Sequence, residues 1–442
     1  MPVFSRIAEF LLLMIFYNLV PLCDSLSLPL GVKICGAVLL SLFFIAELFR
    51  SEKYRTDNRK LNRIYRGCNL MALSGWASTL EVFAVIWAFS CLDISVGVKI
   101  GAIAMPVVTI AATLFLGIVR IIISARQIKI IDYIGLLIFW WVPIINIFLF
   151  RKFYKTAHRE LIFEGDRIEL ENARAESRIC ATRYPIVMVH GIFFRDWQFV
   201  NYWGRIPAAL IRNGASVFYG RQESSAPVAR SAEELRKTIL DVLAETGAEK
   251  VNIIAHSKGG LDSRYAVSRL GMDKYVATIT TINTPHLGCD MVDYLLDKLP
   301  QGIVNFVTGR YNKIFSKLGD KSPDFMGGVS DLSARNAVKF NEGTPDSPNV
   351  RYRSYMSVMS SAKAAGFPLN VGYLLIKKLN GANDGLVWEK SAVHGDFTLI
   401  PTPKKRGISH GDVIDLMREN IDGYDVREFY VDIVRELAES GF

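Results

Sequence analysis

Four stretches in the first 150 residues constrain this chain more than anything else in it. Leu28–Phe49, Asn69–Leu92, Val96–Ile123 and Ile130–Phe150 are each long and apolar, and about 20 such residues suffice to cross a bilayer as a helix. The connections between them are short, and two are rich in Lys and Arg. A fifth stretch, Ile7–Cys23, is shorter and carries Glu9 and Asn18. Its Val20-Pro21-Leu22 lacks the small residues of a signal-peptidase site, so it reads as a retained first span. Residues 1–155 are therefore expected to form a multi-pass transmembrane helical module of four or five spans in the cell membrane.

Charge divides at the same boundary. The 442 residues hold 52 Lys and Arg against 43 Asp and Glu, a net +9, and only 21% are charged. The mean hydropathy of +0.23 excludes a disordered chain. Residues 1–160 carry 17 Lys and Arg and 9 Asp and Glu, a net +8, which leaves +1 for the remainder. A basic surplus that flanks membrane spans gives no reason to expect nucleic acid as a partner. Six scattered Cys without CxxC spacing argue against a disulfide scaffold and a zinc site.

Orientation follows the Lys/Arg bias of the loops. The Arg50, Lys53, Arg55, Arg59, Lys60, Arg63 and Arg66 loop is expected in the cytoplasm, and Arg120, Arg126 and Lys129 on the same side two spans later. A fourth full span would then deliver the C-terminal part extracytoplasmically, which is the expectation adopted. Arg151, Lys152, Lys155 and Arg159 pull the other way, and Pro143 after Trp140-Trp141 can bend the last segment into a re-entrant hairpin. Glu81 and Asp132 lie in or beside the spans, with no relay or repeat that marks a site.

After a linker over residues 156–182, residues 183–442 alternate strand and helix patterns. Pro185–Val189, Ala215–Tyr219, Lys250–Ala255, Ala277–Ile282, Tyr352–Val358 and Phe397–Ile400 read as strands. Ser231-Ala-Glu-Glu234 has the form of a capping box opening a helix that stops near Gly247. Strands alternating with helices imply an α/β fold, a mostly parallel sheet flanked by helices.

The chemistry begins after the third strand, where Ala255-His256-Ser257-Lys258-Gly259-Gly260 leaves a buried strand and enters a helix. This is a nucleophile elbow, with Ala for the first Gly of G-x-S-x-G. A serine hydroxyl needs a base, and the base an orienting acid. Of the six His, His158 is juxtamembrane, His190 ends the first strand, His256 adjoins the nucleophile pointing away, and His286 follows the serine too soon. His410, after the last strand, is preferred to His394. Asp384, in the Asn383-Asp384-Gly385 turn, is preferred to Asp396 and Asp412. The amides of Lys258 and Ile192 are the expected oxyanion donors.

These segments, with His190-Gly191, Asn283-Thr284-Pro285-His286-Leu287-Gly288, Asn383-Asp384-Gly385-Leu386-Val387 and Ser409-His410-Gly411-Asp412, together resemble the bacterial true lipases of the α/β-hydrolase fold. The resemblance covers roughly residues 183–440. It implies a Ser257–Asp384–His410 triad, carboxylic ester hydrolysis and lipid-like or hydrophobic ester substrates. Several members bind a structural calcium through an Asp two residues after the catalytic His. Asp412 matches that position, but Leu416 stands where a Gln ligand belongs, so no cofactor is expected. Residues 288–349 form an insertion that reads equally as a cap over the serine or as plain core helices. Alternatives are an acyltransferase using the same triad and a catalytically inactive membrane scaffold or transport protein.

Overall fold

The computed structural model describes residues 3–91, 93–139, 141–192, 202–223, 225–317, 320, 322–403 and 406–442. They form two compact units, Met1–Ala173 and Arg174–Phe442.

The first unit is helical: α1 (Val3–Tyr17), α2 (Leu19–Ser25), α3 (Leu30–Phe49), α4 (Arg59–Cys91), α5 (Val96–Ser124), α6 (Ile130–Phe139) and α7 (Pro143–Ala173). Helices α3, α4 and α5 are long and apolar enough to cross a membrane, and α1 with α2 joins them if that pair, bent by 69°, counts as one span. The bend falls at Asn18, whose side chain bonds Met14 O at 3.1 Å and Glu81 Oε2 at 2.8 Å. Helices α4 and α5 pack backbone to backbone. A Cβ on Gly67 would stand 2.8 Å from Gly117 O, the close approach that small residues allow between spans.

The expected span Ile130–Phe150 is not one helix. It breaks between Phe139 and Pro143, because proline has no N–H to donate into the preceding turn and tolerates only a helix's first positions. Residues 156–173, read as linker from the sequence, continue α7.

The second unit contains β1 (Ile186–Val189), α8 (Ile206–Arg212), β2 (Val217–Tyr219), α9 (Val228–Thr246), β3 (Val251–His256), α10 (Lys258–Arg269), β4 (Val276–Ile282), α11 (Asp290–Lys298), α12 (Gln301–Lys317), α13 (Phe325–Ser330), α14 (Ala334–Gly343), β5 (Arg351–Met356), α15 (Leu369–Leu379), β6 (Asp396–Leu399) and α16 (Val426–Glu439). The six strands make one parallel sheet in the order β2-β1-β3-β4-β5-β6. Alternate residues of β1 serve opposite faces. Ile186 and Met188 join Trp203, Ile206, Tyr430 and Val434 on one side, while Val187 and Val189 join Leu235, Ile239 and Ala266 on the other. Helices on both faces of a parallel sheet give the α/β-hydrolase fold.

Helix α9 begins at Val228 after Pro227, three residues before the expected cap. Ser231 and Glu234 serve other partners: Ser231 Oγ accepts from Lys258 Nζ at 2.9 Å, and Glu234 from the amide of Glu223 at 2.6 Å.

Candidate active site

The strand β3 ends at His256 and α10 begins at Lys258, so Ser257 takes the whole change of direction. Its φ of 53° and ψ of −129° lie where a non-glycine residue is strained. Three bonds hold it there: Ser257 N to Ile282 O at 3.0 Å, Gly260 N to Ser257 O at 3.1 Å, and Thr284 Oγ1 to Ser257 O at 2.8 Å. The loop after β1 crowds against this turn. A Cβ on Gly191 would stand 2.9 Å from Ser257 Cβ and 2.8 Å from the Tyr202 hydroxyl, so only glycine fits.

His410 and Asp384 come together from loops 26 residues apart. His410 Nδ1 lies 2.6 Å from Asp384 Oδ2, and Asp384 is fully buried. The same Oδ2 accepts from Asn283 Nδ2 at 2.5 Å, while Oδ1 accepts from the amides of Leu386 and Val387 at 2.8 and 2.7 Å. Four donors leave this carboxylate one orientation. The His410 ring stands 4.4 Å from that of His256, the residue before Ser257, which sets the imidazole beside this turn.

Ile192 follows Gly191, which crowds the Ser257 turn, and Lys258 follows Ser257 at the start of α10. The Ile192 loop is fixed by His190, whose ring nitrogens meet Gly191 O at 2.9 Å and Gln222 O at 3.0 Å, and by Gln222 Nε2 donating to His190 O at 3.0 Å. Phe193, next along, lies outside the described residues. The Lys258 side chain is buried and gives its ammonium to Asp262 Oδ1 at 2.7 Å as well as to Ser231. Burial pushes the Asp262 carboxyl up to about 7 although Lys258 pulls the other way.

His256 does not point away from the site. Its Nδ1 meets the Tyr202 hydroxyl at 2.6 Å, and that oxygen also accepts from Gly191 N at 3.0 Å. Burial, then the charge of His410, hold the His256 imidazole well below the ordinary histidine range. It is a neutral wall behind the His410 ring. His286 and His394 stack 4.4 Å apart. His394 Nε2 takes Asp346 at 3.1 Å as its carboxylate, and Asp396 meets Arg351 at 3.3 Å, so neither competes for the Asp384–His410 pair.

Asp412 does not offer a calcium site. Its carboxylate receives Arg406 at 2.8 and 3.2 Å and the amide and hydroxyl of Ser409 at 2.8 and 2.7 Å. No group of three metal-ligating side chains occurs among the described residues, whereas calcium takes six to eight oxygens. A guanidinium fills the place a cation would take, and the donor set does not fit the ion.

Sequence reasoning overlooked Asn283 and Tyr202. Asn283 sits at φ 49°, with its side chain between Asp384, Ser357 Oγ at 2.8 Å and Ser357 N at 3.0 Å. The Asn-Thr-Pro-His segment was visible, but a contact spanning 101 residues was not. The insertion reaches the site through Ile192, which clusters with Val228, Leu261 and Leu332 and with Val329 and Phe340 at the edge. Helix α12 leaves Ile303, Phe306 and Ile314 exposed.

Residues 183–284 match the family model described as lipase (class 2). A triacylglycerol lipase of Burkholderia plantarii is 35% identical over 186 residues, 39% of this chain and 51% of that one. One of Vibrio cholerae is 32% identical over 239 residues, 49% of this chain and 76% of that one. The mature Bacillus licheniformis lipase BlEst2 overlays with a TM-score of 0.41 at 23% identity, covering 53% of this chain and 88% of that one. The chain spans about half the length of the first curated relatives it matches, at 51% and 55%. With a relative 32% identical over three quarters of that relative's length, and a class 2 lipase segment that holds the elbow, the chain belongs to the bacterial triacylglycerol lipase family.

Proposed function

We propose that the chain is a membrane-tethered serine hydrolase that cleaves carboxylic esters of lipid-like substrates through an acyl-enzyme. The observation that carries this is the fully held Asp384 at 2.6 Å from His410 Nδ1, with that imidazole beside a strained Ser257. Ser257 Oγ attacks the ester carbonyl carbon while His410 takes its proton. The oxyanion of the tetrahedral intermediate lies against the amides of Ile192 and Lys258. His410 returns the proton to the departing alcohol, leaving the acyl group on Ser257. Water, deprotonated by the same imidazole, then releases the carboxylic acid. Asp384 holds the tautomer and stabilises the imidazolium.

Residues 1–155 supply a multi-pass anchor, and residues 288–349 a cap whose apolar α12 face meets lipid. Family membership supports the ester substrate. Ser257→Ala is expected to abolish both hydrolysis of long-chain p-nitrophenyl esters and labelling by a fluorophosphonate. Undiminished labelling of that variant would remove Ser257 from the role.

A further inference from the structure

Helices α6 and α7 are too short where they are apolar to cross a bilayer. The 10 residues of α6 rise about 15 Å at 1.5 Å each. The apolar start of α7, Pro143–Phe150, ends at Arg151 and rises about 12 Å. Either reaches only about halfway through a hydrocarbon core of roughly 30 Å.

The two limbs instead pair with each other, antiparallel. Asp132, in the first turn of α6, bonds Lys152 of α7. A Cβ on Gly135 would touch Leu149 at 3.4 Å, three residues forward on one limb and three back on the other. Tyr133 meets Phe153 edge-on with centroids 6.0 Å apart. The break between Phe139 and Pro143 is the tip, and the Asp132–Lys152 pair marks the open end.

That open end coincides with the basic face of the bundle. Glu160 accepts from the amides of Arg126 at 2.9 Å and Gln127 at 3.0 Å, in the loop after α5. Phe153, Ala157 and Leu161 pack against Leu61, Ile64 and Ile121, and Asp166 pairs with Arg55 of the loop after α3. Glu9 of α1 pairs with the buried Arg66 at 2.9 Å. The connections at the opposite ends, 26–29 and 92–95, hold no charge but Asp93.

We infer that α6 and the start of α7 form a re-entrant hairpin, so the chain leaves the membrane module on its basic, cytoplasmic face and the hydrolase works on esters of the cytoplasmic leaflet. The leaflet assignment rests on the hydrolase reading above; the sidedness does not. Arg151, Lys152, Lys155 and Arg159, at odds with a fourth full span, then obey the same Lys/Arg bias as the other loops. The extracytoplasmic placement expected from the sequence assumed one crossing more than these helix lengths provide.

The test uses the full chain in a bacterial host, fused after Phe442 either to a fluorescent protein that matures in the cytoplasm or to alkaline phosphatase, active only outside. Fluorescence without phosphatase activity is expected; phosphatase activity without fluorescence overturns the inference. A second measurement does not depend on the fusions folding. Trypsin should destroy a C-terminally tagged chain in inverted membrane vesicles and spare it in spheroplasts, where an impermeant maleimide still reaches the exposed Cys91 at the far end of α4. Loss of the tagged unit in spheroplasts, or recovery of the chain in the soluble fraction, overturns it. None of these readouts involves Ser257, so an inactive hydrolase would give the same answer, and fluorophosphonate labelling separates that failure from this one.

Discussion

Asp384 and His410 are joined twice. The carboxylate meets His410 Nδ1 at 2.6 Å, and the Asp384 carbonyl accepts from the His410 amide at 2.9 Å. The backbone bond brings the two loops into register, and the side-chain bond aims the ring. Asp384→Asn keeps the first and spoils the second, because an amide facing His410 Nδ1 and Asn283 Nδ2 sets donor against donor. The expected result is a fall in kcat of about 10,000-fold with the fold intact, read from ester hydrolysis beside a circular dichroism spectrum.

Asn283 holds that acid, its Nδ2 donating to Asp384 Oδ2 at 2.5 Å. Asn283→Ala removes one hydrogen bond to a carboxylate, about 1.5–3 kcal/mol, or roughly 10- to 150-fold in kcat. Because the residue acts through Asp384, KM should hardly move, and the limb of the pH–rate profile assigned to His410 should shift. A change confined to KM would place Asn283 with the substrate instead.

Arg406 holds the carboxylate of Asp412, the residue that the resemblance to the true lipases marks as a calcium ligand, at 2.8 Å. Exhaustive dialysis against EDTA is expected to leave both Tm and hydrolysis unchanged. Arg406→Met, in contrast, removes one partner from each of Asp412 and Glu419 and should lower Tm and kcat together, since Asp412 in turn fixes Ser409 next to His410. Inactivation by EDTA, reversed by calcium, would contradict the assignment of Asp412 to Arg406.

The buried Asp262 gives stability a pH dependence of definite sign. Its carboxyl is raised from 3.8 to about 7 by burial, so between those values the folded chain keeps a proton that the unfolded chain has released. Stability from this group is complete below about pH 4, falls as pH rises, and levels off above about 7. Asp262→Asn should remove that slope. Thermal melts of the detergent-solubilised chain from pH 4 to 8 would show the wild type losing Tm relative to the variant as pH rises. Parallel curves would rule Asp262 out as the source.

What was legible in the sequence was whatever a short window contains. Apolar runs of 20 residues, a strand-to-helix turn around Ser257 and an Asn-Asp-Gly turn at Asp384 announce themselves locally, and chain order then selects His410. Ser231 shows where a short window misleads. Its capping-box spacing is real, yet Pro227 opens the helix one turn earlier and the hydroxyl goes to Lys258. Asn283 and Tyr202 reach partners 101 and 54 residues away, beyond any short window, and nothing local marks Arg406 as the partner of Asp412. The hairpin was half visible in Pro143. Recognising it needed the pairing of Asp132 with Lys152 and the true length of α6.

A segment that enters and leaves through one face makes no net crossing, and this bears on how the molecule is made. If the chain leaves the membrane on the cytoplasmic face, as inferred above, residues 174–442 need not be threaded unfolded through a translocation channel and can fold where they are synthesised. The parallel sheet, slow to assemble because its partners lie far apart in the chain, would then be within reach of cytoplasmic chaperones. Cys180 and Cys289, buried with no disulfide between them, would on that placement complete their folding in a reducing compartment, where a wrongly formed disulfide is undone.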